Sequence, residues 1–269
     1  MSRLTVFWTL HLIGLAFFAG GLWLNFSIWL QGSIDGRASP GLWAAIQASW
    51  RFVWRAGLRR TLRTFLVDGL SHRRFLHESP GRWFAHAALM GSLGVLSILS
   101  IITGFCEEIL ILLFKVHHPI VEAIVNKDTP IMALANEALG LIAIIALAFL
   151  VVRRYVQRPA QLRTEAVDTV LVVLLAVILV SGYPTEVLRL LKDGVGPELG
   201  WYSFIGYPLS LPFRSLNWPW EALHYWTFLF HSLLASAVIG YIPFSKVFHA
   251  VVSPAVATAN SLAKEAQAA

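Results

Sequence analysis

The chain has 269 residues with a single cysteine; 57% of its residues are hydrophobic, only 13% are charged, and its mean hydropathy is +0.66. A soluble domain carries about a quarter charged residues, so this composition excludes an ordinary soluble enzyme and indicates an all-α chain embedded in a bilayer. A lone Cys106 excludes an internal disulfide, a thiolate-ligated iron–sulfur cluster and a C-x-x-C-H haem attachment within the chain, so any redox centre must use other ligands or belong to a partner.

Five apolar runs are each long enough to cross a hydrocarbon core of about 30 Å. The first covers roughly Leu4–Ile34, without Asp, Glu, Lys or Arg between Arg3 and Asp35. It is too long, and too clearly without a small-x-small cleavage site, to read as a cleaved signal. Next comes "GLWAAIQASWRFVWRAGLRRTLRTFLVDGL", in which Arg51, Arg55, Arg59 and Arg63 recur every fourth residue. Trp43, Trp50, Trp54, Leu58, Leu62 and Phe65 follow a helical spacing beside them. This predicts an amphipathic basic helix over about 41–66 on the inner membrane surface, either anchoring in lipid or docking a cytoplasmic subunit. The second span covers Trp83 to about Phe114, the third Pro130–Val152, the fourth about Val167–Leu191 and the fifth Ala222–Ser245. The connection "WYSFIGYPLSLPFRSLNWPW" is rich in aromatics and proline and is expected as a loop folded back at headgroup level. The tail "ATANSLAKEAQAA" is expected as a short, partly frayed helix. The runs are continuous rather than alternating, which argues against transmembrane strands. The expected architecture is one five-helix bundle over residues 1–269.

Charge sets the expected orientation. The stretch 36–82 holds nine Arg, "RRYVQRPAQLR" four more, and the tail Lys246 and Lys264. The opposite side has Arg3, Lys115, Lys127, Arg189, Lys192 and Arg214. The positive-inside rule puts the N-terminus outside and the C-terminus in the cytoplasm. The net charge of +6 then faces anionic lipid or a protein partner, and needs no nucleic acid to explain it.

The last span raises a chemical question: "HSLLASAVIGYIPFSKVFH" is apolar with a histidine at each end, His231 and His249. On a continuous helix this separation makes five full turns, so both rings share a face about 27 Å apart along the axis. Polar side chains in a span usually face the bundle interior, and two inward nitrogens at two depths suit two stacked cofactors. Haem b fits, since imidazole is a common axial ligand and no cysteine link is needed. A lone histidine in a membrane helix is more often a packing or hydrogen-bonding residue; two on one stripe at opposite depths favour the ligand reading. His86, about one turn inside the entrance of the second span, is the only other histidine at the inner depth, and topology pairs it with His249. His11, at the outer end of the first span, is the remaining candidate opposite His231. His224 lies seven residues before His231 on nearly the same stripe and is expected to line the outer pocket. His72 and His77 fall in the basic inner stretch and His117 and His118 in an outer loop, all expected at the surface. Pro243 should kink the last span before His249.

These residues carry a resemblance. "H…GYIPFSKVFH" resembles the last helix of the respiratory nitrate reductase gamma subunit family, five-helix dihaem cytochromes b that oxidise quinol and pass electrons inward. The resemblance implies His231 and His249 as last-helix ligands and His86 as the inner second-helix ligand. The outer second-helix ligand falls at Leu96, which cannot ligate, so the second haem has a changed partner, with His11 as substitute, or is absent. "LVDGLSHRRFLHESPGRWFAH" and "SGYPTEVLRLL" look closer to a sister group, the membrane cytochromes of heterodisulfide-reductase-like and sulfite-reductase-associated complexes. Members work beside a cytoplasmic iron–sulfur subunit with cysteine-rich domains, in a bacterial or archaeal cytoplasmic membrane.

Quinol oxidation, whether of menaquinol or ubiquinol, releases two protons and two electrons, and needs an acid–base group near the outer ligand. Glu186 and Arg189, three residues apart on one helix face, are the candidates: Glu186 as proton acceptor, Arg189 as its partner or a haem-propionate ligand. A structural ion pair is the competing reading. Glu107, Glu108 and Glu137 are further carboxylates within spans. The expected role is electron transfer in a quinone-linked oxidoreductase, without catalysis beyond the quinone site. The alternatives are a nitrate reductase gamma subunit, and a haem-free membrane anchor or transporter.

Overall fold

The computed structural model describes residues 3–29, 41–71, 73–160 and 164–268, and every regular element among them is helical. In chain order the α-helices are α1 (Arg3–Trp29), α2 (Leu42–Ala56), α3 (Leu58–Thr64), α4 (Arg73–Glu78), α5 (Pro80–Gly104), α6 (Pro119–Val125), α7 (Pro130–Val151), α8 (Ala166–Lys192), α9 (Pro197–Gly200), α10 (Gly206–Ser210), α11 (Trp220–Tyr241) and α12 (Phe248–Ala268). Wider π-turns prolong α3 to Leu70, α5 to Leu113 and α7 to Gln157. Five helical segments are long and apolar enough to cross a membrane: Val6–Ile28, Pro80–Leu113, Pro119–Gln157, Ala166–Lys192 and Trp220–Phe244. The far end of the first expected span, residues 30–34, and His72 lie outside the described residues.

Residues 85–235 form one compact unit. Its core joins α5, α7 and α8 through Leu89, Ala143, Ala146, Leu147 and Leu179. Ala143 and Ala146 are small and buried, which lets α7 pack closely against its neighbours where no hydrophobic effect drives helices together in lipid. Local signals set the ends. Pro130 occupies the first turn of α7, where its missing N–H costs nothing. A capping box of Glu165 and Asp168 starts α8. Asp168, 4% exposed, is also ion-paired with Arg154 from the end of α7, tying the two helices at this end.

The connection from α8 to α11 is more structured than the headgroup loop expected from its sequence. It holds α9 and α10, and buries Val195 and Tyr207 against Leu190. Arg214 lies 4.6 Å over the Tyr207 ring and donates to the Val195 carbonyl at 2.5 Å. Gly200 backs directly on that ring; a Cβ there would come within 2.0 Å of it. Tyr207 and Arg214 thus fold the connection on itself, while Trp201, Tyr202 and Trp218 stay exposed.

Residues 1–84 and 236–269 form the other unit. Here α1 meets the last turns of α11 through glycines: a Cβ on Gly14 would be 2.7 Å from the Ser236 carbonyl, and one on Gly21 2.6 Å from Pro243. Asn25 donates to the Pro243 carbonyl at 3.0 Å and to that of Gly21 at 2.9 Å. The continuous helix from His231 to His249 is not formed. Pro243 has no N–H and its ring crowds the preceding turn, so α11 ends at Tyr241 in a 3₁₀ turn over Ile242–Phe244. Ser245 is extended (φ −117°, ψ 167°), and His249 stands in the first turn of the separate helix α12. The shared stripe and axial distance calculated for one helix therefore do not apply. The tail is helical, as expected, and belongs to the 21-residue α12, which packs on the π-turn after α3. Gly69 approaches the Pro254 carbonyl and Thr258 there, and Arg60 pairs with Glu265 at 2.5 Å.

Candidate functional site

The histidine with the most informative surroundings is His231, half-buried on α11. Its Nδ1 lies 2.9 Å from Ser181 Oγ, and the same Oγ lies 3.0 Å from the Ile178 carbonyl. A hydroxyl has one hydrogen and a carbonyl only accepts, so Ser181 donates to Ile178 and accepts from His231 Nδ1–H. In the neutral ring this leaves the lone pair on Nε2, the form in which imidazole binds metal with its other nitrogen anchored. A Cβ on Gly182 would meet His231 Cε1 at 3.6 Å, an ordinary contact, so this helix face lies directly beside the ring.

Glu186 and Arg189 follow on the same helix. Ser181 and Glu186 are five residues apart, about 7.5 Å along the axis. Glu186 receives both arms of the Arg189 fork, Nε at 3.0 Å and Nη2 at 2.9 Å, and a third bond from Ser203 Oγ at 3.0 Å. Arg189, 8% exposed, also reaches Asp128 at 2.8 Å and Asp193 at 3.6 Å, and Lys192 pairs with Asp193 at 2.7 Å. One guanidinium therefore joins three carboxylates from α8, its C-terminal turn and the α6–α7 connection. Asp128, Asp193 and Ser203 were not singled out from sequence, because nothing in their local patterns distinguishes them from ordinary turn residues. His224 lies half-buried one turn from Phe228, their rings 6.0 Å apart, in the electrostatic field of Lys192, Lys127, Asp193 and Arg189.

Glu137 is buried at 4% exposure and is occupied structurally. Its two oxygens accept from the backbone N–H groups of Ile205 and Gly206 at 3.0 and 3.1 Å, so α7 anchors the start of α10. Gly206 permits this approach: a Cβ there would lie 2.9 Å from Glu137 Oε1 and 3.0 Å from Glu186 Cγ. Glu107 and Glu108 sit in the π-turn after α5.

The other candidate histidines are distributed between the units. His86 is half-buried on α5, one residue after buried Ala85, in the unit of His231. His11, on α1, donates from Nδ1 to the Phe7 carbonyl at 2.9 Å and packs on the Phe7 ring at 4.1 Å. His249 is exposed and bonds through Nδ1 to the Lys246 carbonyl. Both belong to the other unit. Since carbonyls only accept, His11 and His249 share with His231 the Nδ1–H form. Leu96, ten residues beyond His86, offers only carbon. His77, His117 and His118 are exposed, as expected.

The chain is similar over 93% of its length to the E subunits of the dihydromethanophenazine:CoB–CoM heterodisulfide reductases of Methanosarcina mazei and Methanosarcina acetivorans. Identity is 27% over 91% of the first relative and 25% over 89% of the second. No solved structure matches. The family described as nitrate reductase gamma subunit matches residues 96–260, a range that includes Glu186, Arg189, His224, His231 and His249 and begins downstream of His11 and His86. With five segments able to span a membrane and most of its length matched, this chain is a multi-pass membrane protein that belongs to the nitrate reductase gamma subunit family.

Proposed function

We propose that the chain is the haem b membrane subunit of a quinone-linked oxidoreductase, exchanging electrons between a lipid-soluble two-electron carrier and a cytoplasmic iron–sulfur partner. The observation that carries this reading is the Ser181–His231 bond, which fixes a half-buried imidazole inside an apolar helix in its metal-binding form. The donor chemistry fits haem b: Nδ1 is the bonded nitrogen in His231, His11 and His249, and no cysteine attachment is required. His231 would hold an outer haem, with His11 opposite, and His86 and His249 an inner one. Bound haem supplies one-electron redox chemistry, so that a two-electron carrier is oxidised in two steps.

The names of the relatives support the carrier class, because dihydromethanophenazine, like menaquinol or ubiquinol, is a reduced ring carrier. Oxidation of such a carrier releases two protons with its two electrons. Glu186 is placed in this reading as the proton acceptor. On protonation it loses its charge, yet Arg189 stays compensated through Asp128 and Asp193, so the cation is not stranded in the membrane. His224 would line the carrier pocket on the same side.

Reduced-minus-oxidised spectra of the purified chain and its variants test the assignment. The intact protein is expected to give a b-type signal, His86→Ala and His249→Ala to lose the same inner component, and His231→Ala to lose the other. Glu186→Gln should keep the spectrum and slow carrier-dependent reduction. A colourless protein from porphyrin-replete cells would identify a haem-free anchor instead.

A further inference from the structure

The face of α2 and α3 is independent of any haem. α2 has no buried residue. Trp43, Ile46, Trp50 and Trp54 fall on one stripe within about 80° of the helix circumference, taking about 100° per residue. All four are well exposed, from 49% at Ile46 to 70% at Trp43. Gln47, Arg51 and Arg55 form the adjacent stripe. Shallow grooves of about 420 and 300 Å³ run between the two, the first lined by Trp43, Ile46, Gln47, Trp50 and Arg51 and the second by Trp50, Arg51, Trp54 and Arg55.

Gly57, at φ +86°, redirects the chain between α2 and α3. The pattern resumes after it, with exposed Leu58 and Leu62 beside Arg59 and Arg63. The opposite side of α3 is where the chain's own contacts lie: Thr64 is buried, and Arg60 is paired with Glu265 of α12. α12 thus holds α3 from behind. No Asp or Glu occurs from Gly41 to Phe65, and among the described residues Arg51, Arg55, Arg59 and Arg63 form no ion pair.

We propose that α2–α3 is an anionic-lipid binding surface, in which the Trp and Leu stripe enters the acyl boundary and Arg51, Arg55, Arg59 and Arg63 take lipid phosphates. Chain connectivity favours lipid over a soluble partner: the segment lies in the chain between the spans of α1 and α5, so it is tethered to a membrane-crossing helix on each side. Tryptophan beside arginine is the composition that this depth selects, apolar body below and charge above.

The full chain reconstituted in phosphatidylcholine, with or without phosphatidylglycerol, provides the test. Native mass spectrometry is expected to find phosphatidylglycerol retained on the intact protein. It should be lost when Arg51, Arg55, Arg59 and Arg63 are replaced together by Gln, and restored when they are replaced by Lys. Brominated lipid should quench tryptophan emission, and the double variant Trp50→Phe, Trp54→Phe should lose part of that quenching. Equal phosphatidylglycerol retention by the intact and Gln proteins would overturn the proposal. So would tryptophans 50 and 54 that stay open to aqueous iodide in anionic vesicles and close only when a cytoplasmic protein partner is added.

Discussion

At the residue scale Ser181 holds the His231 ring by its Nδ1 at 2.9 Å, the kind of anchoring that a carboxylate or carbonyl gives a metal-binding imidazole. Ser181→Ala removes one acceptor beside His231 Nδ1–H without touching Nε2. The expected result is a retained outer b-type signal with a shifted midpoint potential and altered low-temperature EPR, both restored by Ser181→Thr. Unchanged potentials in Ser181→Ala, alongside signal loss in His231→Ala, would leave the ligand standing and reject the positioning role. Glu137 makes a second residue-scale case. Glu137→Gln replaces one of its two acceptor oxygens by a donor facing a backbone N–H, a mismatch that should cost about 1–3 kcal/mol. Limited proteolysis would detect it as faster cleavage across 197–214, because the anchored start of α10 is released.

At the scale of elements, polar pairs at helix ends organise the membrane segments. Arg154 and Asp168 join the end of α7 to the start of α8, and the Arg side chain is 22% exposed against 4% for the Asp. Arg154→Gln removes a cation paired with a buried carboxylate, expected to cost about 2–3 kcal/mol, less than for a fully buried pair because the arginine keeps some solvent. Thermal unfolding in detergent should register the loss, and Asp168→Asn in the same background should recover part of it. The break between α11 and α12 is an element-scale effect of one residue, Pro243. The sequence pattern pointed to a kink; it did not reveal that α11 would end there, because termination depends on what accepts the freed groups. Asn25 from α1 takes the Pro243 carbonyl, a contact 218 residues apart in sequence.

For the whole molecule, the arrangement of Lys and Arg predicts an orientation with the C-terminus inside. Reporter fusions provide the check: a C-terminal alkaline phosphatase should be inactive and a C-terminal fluorescent protein bright, with the opposite pattern for fusions between α8 and α11. Reversal of both would invert the assignment of inner and outer ligands while leaving the Ser181–His231 geometry intact. The two polar systems also divide by unit. The His231, Glu186 and Glu137 networks lie within residues 85–235, whereas His11, His249 and the basic surface helix lie in the unit of the two terminal regions.

The five apolar spans, the amphipathic arginine helix, the candidate histidines and the Glu186–Arg189 pair were all legible in the amino-acid order, because each rests on local composition or helical period. What those side chains do was assigned by contacts across the fold. Glu137 is committed to two backbone donors from a distant segment, Arg189 to three carboxylates, and His231 to one tautomer through Ser181. The end of α11 and the packing of α12 were likewise settled by contacts with α1 and with the turn after α3. Periodicity reports which face of a helix is apolar. It carries no information on which partner across the fold satisfies a polar group, and in a bilayer that pairing decides whether a charge is structural or chemical.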